Sequence, residues 1–139
     1  MKTPAIIVDI DGTIAKMVDR GPFEWSKVGS DQPIEPIIDL VYLLSDFYPI
    51  LFLSGRDEIC RPQTEKWLEQ NTYIKSYSKL FMRPQGNNEK DSIIKRRIYD
   101  TKIKNVYDVR YVLDDRDQVV KMWREELGLT CLQVAYGNF

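Results

Sequence analysis

Five short apolar runs punctuate the chain, and three of them stop on residues able to do chemistry. Ala5-Ile6-Ile7-Val8 runs into Asp9, Ile50-Leu51-Phe52-Leu53 into Ser54-Gly55-Arg56, and Val109 to Leu113 into Asp114-Asp115. Leu80-Phe81-Met82 is closed by Arg83-Pro84, and Thr130 to Val134 forms the last run. Runs this short, rich in β-branched residues, read as buried parallel strands. Between them the period changes to that of helices. Pro36 opens one with Ile37, Leu40, Val41 and Leu44 on its apolar face, and Pro49 stops it. A second starts near Pro62 and runs through Trp67 and Leu68 to about Asn71. The third begins at Asp91, with Ile94 and Ile98 one turn apart. The fourth turns Val119, Val120, Trp123 and Leu127 inward and ends at Gly128. Residues 12–35, rich in Gly, Pro and charge, show no period and read as an irregular flap.

Alternating strands and helices with short connections predict an α/β fold: a three-layer, Rossmann-like parallel sheet of about five strands. The length, 139 residues, fits a single domain spanning 1–139. In such a sheet the carboxyl ends of the strands lie side by side where ligands bind. Asp9, Ser54 and Asp114-Asp115 are thereby expected in one crevice.

Composition narrows the chemistry. Histidine is absent, which removes phosphohistidine chemistry, His-based triads and most zinc sites. A cysteine-dependent phosphatase needs an Arg six positions after its Cys, but Lys66 and Gly137 stand there after Cys60 and Cys131. Those two thiols read as reduced and partly buried. The net charge of −1 argues against sequence-independent coating of nucleic acid and leaves recognition of a strand end open. No apolar run approaches the roughly 20 residues that span a bilayer, and the N-terminus has no signal-peptide pattern, so a cytoplasmic protein without a membrane partner is expected.

Carboxylates and a hard metal remain. Asp9 and Asp11, two apart before Gly12, would repel each other and the Asp114-Asp115 pair unless a cation sat among them. Mg²⁺ suits Asp9, Asp11, Asp114 and Asp115, since it prefers oxygen ligands. Asp9 is then the candidate nucleophile, forming an aspartyl-phosphate, and Asp11 the candidate general acid and base. Gly12 permits the tight turn that aims backbone N–H groups at phosphoryl oxygens. Ser54 offers a hydroxyl, Gly55 a flexible backbone and Lys95 a point charge beside Asp9. The neighbouring Arg96, Arg97, Lys102 and Lys104 read mainly as a solvated face, and Trp67 and Trp123 as core.

Asp9-x-Asp-Gly-Thr13, a strand-ending Ser54, the helical Lys95 and the strand-ending Asp114-Asp115, in that order, resemble the four motifs of the haloacid dehalogenase-like phosphatase superfamily. A closer resemblance covers nearly the whole chain. Asp9-Ile-Asp-Gly-Thr-Ile-Ala-Lys-Met17, Arg20-Gly-Pro-Phe23, Ser54-Gly-Arg56, Lys90-Asp-x-x-x-Lys95, Asp114-Asp-Arg-x-Gln-Val-Val-x-Met-Trp-Arg124 and Gln133-Val-Ala-x-Gly-x-Phe139 are similar to the 3′-phosphatase domains of polynucleotide kinase–phosphatases of the T-even bacteriophage type. That resemblance implies Asp9 as nucleophile, Asp11 as general acid and base, and Asp115 on Mg²⁺. Arg20, Arg56, Asp91 and Lys95 match further residues of that active site, and Thr13, Ser54 and Gly55 join Arg20, Arg56 and Asp91 as candidate substrate-site residues. Arg20 and Arg56 are assigned to the phosphate or terminal nucleotide, and Asp91 to orienting Lys95 or an Arg.

The chain carries no Gly-x-x-x-x-Gly-Lys-[Ser/Thr], so kinase activity is not expected, and kinase and ligase would be separate proteins. The gaps between Asp11, Ser54 and Lys95 leave no room for a large cap domain, which keeps the crevice open to a bulky substrate. The expected activity is removal of a 3′-phosphate from DNA or RNA ends in repair. Phe23 and Trp25 in the flap are candidates for stacking on a terminal base. The alternatives are a phosphatase of small phosphometabolites or nucleotides, and a non-catalytic module that binds nucleic-acid ends.

Overall fold

The computed structural model describes residues 1–74 and 78–139. Five parallel strands form the central sheet in the order β5-β4-β1-β6-β7, with β1 Thr3–Val8, β4 Ile50–Asp57, β5 Lys79–Arg83, β6 Tyr107–Asp114 and β7 Cys131–Gln133. Two short strands, β2 (Ala15–Lys16) and β3 (Gln32–Pro33), pair antiparallel beside it. Among the described residues four α-helices connect the strands: α1 (Glu35–Leu44), α2 (Arg61–Thr72), α3 (Asp91–Ile98) and α4 (Asp117–Lys121).

Side chains alternate across β1, and the alternation builds two cores. Ala5 and Ile7 join Leu51, Leu53, Ile94, Val119, Val120 and Trp123 on the α3–α4 face. Ile6 and Val8 join Ile50, Phe52, Ile38, Val41 and Trp67 on the α1–α2 face. The three-layer α/β/α expectation therefore holds, and Trp67 and Trp123 are both core. The chain steps outward from β1 through β4 to β5, then crosses to β6 on the other side of β1. With right-handed crossovers, that reversal sends α3 and α4 to the opposite face. It also opens a crevice at the carboxyl ends of β1 and β6.

Three details differ from the sequence reading. α1 buries Ile38 and Val41, while Leu40 lies 37% exposed. The helix is apolar almost all round, so periodicity could not choose which stripe meets the sheet. β4 does not stop at Ser54. It runs on to Asp57, with a shift of register against β5 between Ser54 and Asp57. Both α3 and α4 continue as π-helical turns, Tyr99–Ile103 and Met122–Glu126. The wider turn after α4 brings Met122 as well as Trp123 into the core.

The flap is compact rather than formless. A 3₁₀ helix at Trp25–Ser30 packs Val28 against Cys60 and Met82, with Trp25 alongside. Nothing larger stands between β1 and β4, so no cap domain is inserted there, and none occurs among the described residues.

Candidate active site

The turn after β1 is built on Ile10. Its carbonyl accepts the N–H groups of Thr13, Ile14 and Ala15 at 3.1, 2.9 and 3.0 Å. Ile10 and Ile14 are fully buried, which pins the turn and holds Asp9 and Asp11 at the crevice. Asp9 extends the ladder by donating its N–H to the Leu113 carbonyl at 2.9 Å. The end of β1 thus stands beside the Asp114-Asp115 end of β6.

Asp9 is 6% exposed. Lys95 Nζ donates to its Oδ1 at 2.8 Å, and Thr13 Oγ1 to its Oδ2 at 3.1 Å. Lys95 is itself buried and reaches Asp114 Oδ2 at 3.1 Å and Asp91 Oδ2 at 3.7 Å. Burial alone would lower the Lys95 pKa, but the carboxylates of Asp114, Asp9 and Asp91 outweigh it and raise it well above the usual lysine value. The opposite holds for its partner. Burial first, then the charges of Asp114 and Asp115, push Asp9 well above the ordinary carboxylate range against the pull of Lys95. Asp115 is also raised, chiefly by burial.

Asp114 and Asp115 divide their work. Asp114 Oδ1 accepts from the N–H groups of Asp115 and Arg116 at 2.8 and 3.3 Å. Its Oδ2 accepts from Lys95 and, at 3.4 Å, from Trp123 Nε1. Asp114 is therefore occupied on both oxygens and fixes Lys95. The Asp115 carboxylate accepts a long bond from Thr13 Oγ1 at 3.4 Å. One oxygen from each of Asp9, Asp114 and Asp115 lies within 4.8 Å of the others. A nucleophilic carboxylate must be ionised, and burial beside two further acids works against that. A hard dication among these oxygens removes the conflict, so the donor set fits Mg²⁺.

Asp11 does not join that trio. Its carboxylate takes Arg56 Nε and Nη2 at 3.1 and 2.8 Å and Arg20 Nη2 at 3.2 Å. Both guanidiniums also hold Asp31: Arg20 Nε donates to Oδ1 at 2.8 Å and Arg56 Nη2 to Oδ2 at 2.7 Å. Arg56 is anchored further by donating to Thr64 Oγ1 at 3.0 Å. The Arg20, Arg56 and Asp31 side chains are fully buried. The two arginines assigned from sequence to substrate thus lie against Asp11, and Arg20 is not among the crevice-lining residues. Asp31, which joins them, went unnoticed in the sequence because it lies in an aperiodic stretch.

Ser54 is buried, and its Oγ accepts the Arg56 N–H at 3.1 Å. Gly55 lines the crevice. A Cβ on it would stand 2.1 Å from Asp91 Oδ1, so the bare backbone is what lets Asp91 approach Lys95. Three further cations to which the sequence assigned no role line the crevice: Arg83, Lys90 and Arg116. Arg83 donates to the Gly55 carbonyl at 2.8 Å and to Asp91 at 3.4 Å. The crevice encloses about 700 Å³, and Phe23 and Trp25 of the flap stand on its wall with ring centroids 6.0 Å apart.

Fold and site together define an uncapped phosphatase domain of the haloacid dehalogenase-like class. More narrowly, residues 3–139 match the family described as polynucleotide kinase PNKP phosphatase domain, and the chain belongs to it. It is 37% identical over 124 residues to a protein of Autographa californica nuclear polyhedrosis virus assigned as a bifunctional polynucleotide kinase/RNA ligase. That match takes in 87% of this chain and 18% of the viral protein. Two solved structures, of the Pnkp1/Rnl/Hen1 complex and of the Pnkp1/Rnl/Hen1 RNA repair complex, each superpose with a TM-score of 0.94 at 37% identity. Each covers 99% of this chain, which spans 48% and 44% of their respective chains. No helix among the described residues is long and apolar enough to cross a membrane.

Proposed function

We propose that this chain is a magnesium-dependent polynucleotide 3′-phosphatase that works through an aspartyl-phosphate on Asp9. The observation that carries the reading is a buried Asp9, 2.8 Å from Lys95 and beside Asp115, at one end of an open crevice. An Asp9 carboxylate oxygen attacks phosphorus and the bond from phosphorus to the 3′-oxygen breaks, with Asp11 giving the departing oxygen its proton. Water then attacks the aspartyl-phosphate, Asp11 takes the water's proton, and inorganic phosphate leaves with Asp9 restored. Lys95 holds Asp9 in place and offsets the phosphoryl charge. The Arg20–Asp31–Arg56 cluster fixes the direction of the Asp11 carboxylate, while Ser54 and Asp91 secure the backbone and the lysine around it. Asp9 and Asp115 would hold Mg²⁺, with Asp114 behind them; the ion supplies neutralisation of the phosphoryl oxygens.

The open crevice and the family support this substrate class. The relatives named for RNA repair support an end-repair role on 3′-phosphorylated DNA or RNA. The 139 residues contain no P-loop motif, so kinase and ligase chemistry is assigned to separate modules. The test compares matched 3′-phosphate and 5′-phosphate DNA and RNA oligonucleotides with p-nitrophenyl phosphate, with and without Mg²⁺. Mg²⁺-dependent release from 3′ ends alone, lost in Asp9→Asn, is the expected result. Equal preference for the small ester supports a metabolite phosphatase, and binding of ends without turnover supports an end-binding module.

A further inference from the structure

We infer that Phe139 is a specificity-determining residue: it positions Arg116 at the crevice and offers its ring to the nucleobase next to the reacting phosphate. The inference rests on the polynucleotide reading above. Arg116 follows directly on Asp115, and its side chain is 32% exposed. Its Nε donates to the main-chain oxygen of Phe139 at 2.9 Å, and its guanidinium carbon lies 5.0 Å from the centre of the Phe139 ring. Asp91 Oδ2, 3.7 Å from Nη1, draws the other end of the guanidinium towards the reacting groups.

The segment that carries Phe139 is locked to the turn that carries the acids. Val134 N–H donates to the Asp114 carbonyl at 3.1 Å, and Gln133 Nε2 to the Asp115 carbonyl at 3.0 Å. Asp117 and Phe139 both donate their N–H groups to the Gly137 carbonyl, at 2.9 and 2.8 Å. Gly137 sits so close that a Cβ on it would lie 1.7 Å from the Asp115 carbonyl oxygen. The Phe139 main chain is thus held by hydrogen bonds, while the residue lines the crevice and is 65% exposed. A ring carried on an anchored main chain, with a guanidinium against it and area left to solvent, suits stacking on a base, which is sequence-tolerant because every base has a π-face.

The experiment measures kcat/KM on a 3′-phosphorylated oligonucleotide, on the same oligonucleotide with an abasic terminal nucleotide, and on p-nitrophenyl phosphate. Wild type, Phe139→Ala, Phe139→Leu and Phe139→Tyr are compared. Loss of one base stack predicts that the ratio of oligonucleotide to small-ester efficiency falls about 10-fold in Phe139→Ala and Phe139→Leu. The loss should fall mainly on KM, be absent in Phe139→Tyr, which behaves as wild type, and vanish on the abasic substrate. An unchanged ratio, whether from parallel losses on all substrates or from none, overturns the inference, as does an equal loss on the abasic oligonucleotide. Failure of wild type to prefer 3′-phosphorylated ends overturns the polynucleotide reading itself, and that arm is scored before any variant.

Discussion

Gly12 and Asp115, far apart in sequence, meet so closely that a Cβ on Gly12 would stand 2.1 Å from the Asp115 Oδ2. Gly12 also has φ of +82°, in the left-handed region that favours glycine. The turn after β1 and the acid after β6 can therefore share one site only if position 12 carries no side chain. Gly12→Ala should cost about 1–2 kcal/mol through the backbone alone. Displacing Asp115 should lower kcat by on the order of 100-fold. Thermal melting and Mg²⁺-dependent turnover check both. A variant with wild-type turnover would contradict this placement of Asp115.

Asp31 is expected to matter as much as the motif residues, although it lies in the flap. Two buried guanidiniums, those of Arg20 and Arg56, depend on it. Removing one partner from a buried ion cluster typically costs about 3–5 kcal/mol. Asp31→Ala should lose stability on that scale in urea unfolding. Turnover should drop even under conditions where the variant is folded, because Asp11 loses its fixed direction. A fully folded variant with normal kcat would show that Asp11 does not need the cluster.

The carboxylates make stability depend on pH and on the dication together. An unfolded Asp titrates near about 3.9, whereas Asp9 and Asp115 titrate higher in the fold, through burial and mutual repulsion. The folded chain then binds more protons between those values, so stability from these groups is greatest below about pH 4 and is lost as pH rises through the raised values. Mg²⁺ bound to the folded state opposes that loss. Melting temperatures in chelator should fall as pH rises from about 4 through the raised values, and the gain on adding Mg²⁺ should widen over the same range. A gain that is constant or shrinks with pH would count against Asp9 and Asp115 as its ligands.

Both thiols should be silent in the native protein. Cys60 and Cys131 are 1% and 6% exposed, and burial pushes the Cys131 thiol up to about 12. Little thiolate is available near neutrality, and the thiolate is the reactive form. A colorimetric thiol reagent at pH 8 should label neither cysteine until denaturant is added, when both react. Fast labelling without denaturant would show that the α2 or β7 side of the core opens.

Much of the architecture could be read directly from the residues. The strand-ending acids, the two Trp core positions and the order of strands and helices needed only side-chain period and short connections. Which stripe of α1 is buried could not be read, because Ile37, Ile38, Leu40, Val41, Leu43 and Leu44 satisfy more than one face. Asp31, Arg83 and Arg116 carried no local signal, since their partners are supplied by other elements: Arg20 and Arg56 for the first, Gly55 for the second, Phe139 for the third.

The sequence by itself determined that any catalysis here must use carboxylates, because it holds no histidine and no cysteine with the needed arginine. It also determined that those carboxylates end strands, because apolar runs stop at them. Only the tertiary structure decided how they divide the work. Asp9 and Asp115 share a buried space with Lys95, while Asp11 turns to Arg20 and Arg56. Pairing among charges depends on distances through space and on what burial denies them in solvation, and neither is encoded by spacing along the chain.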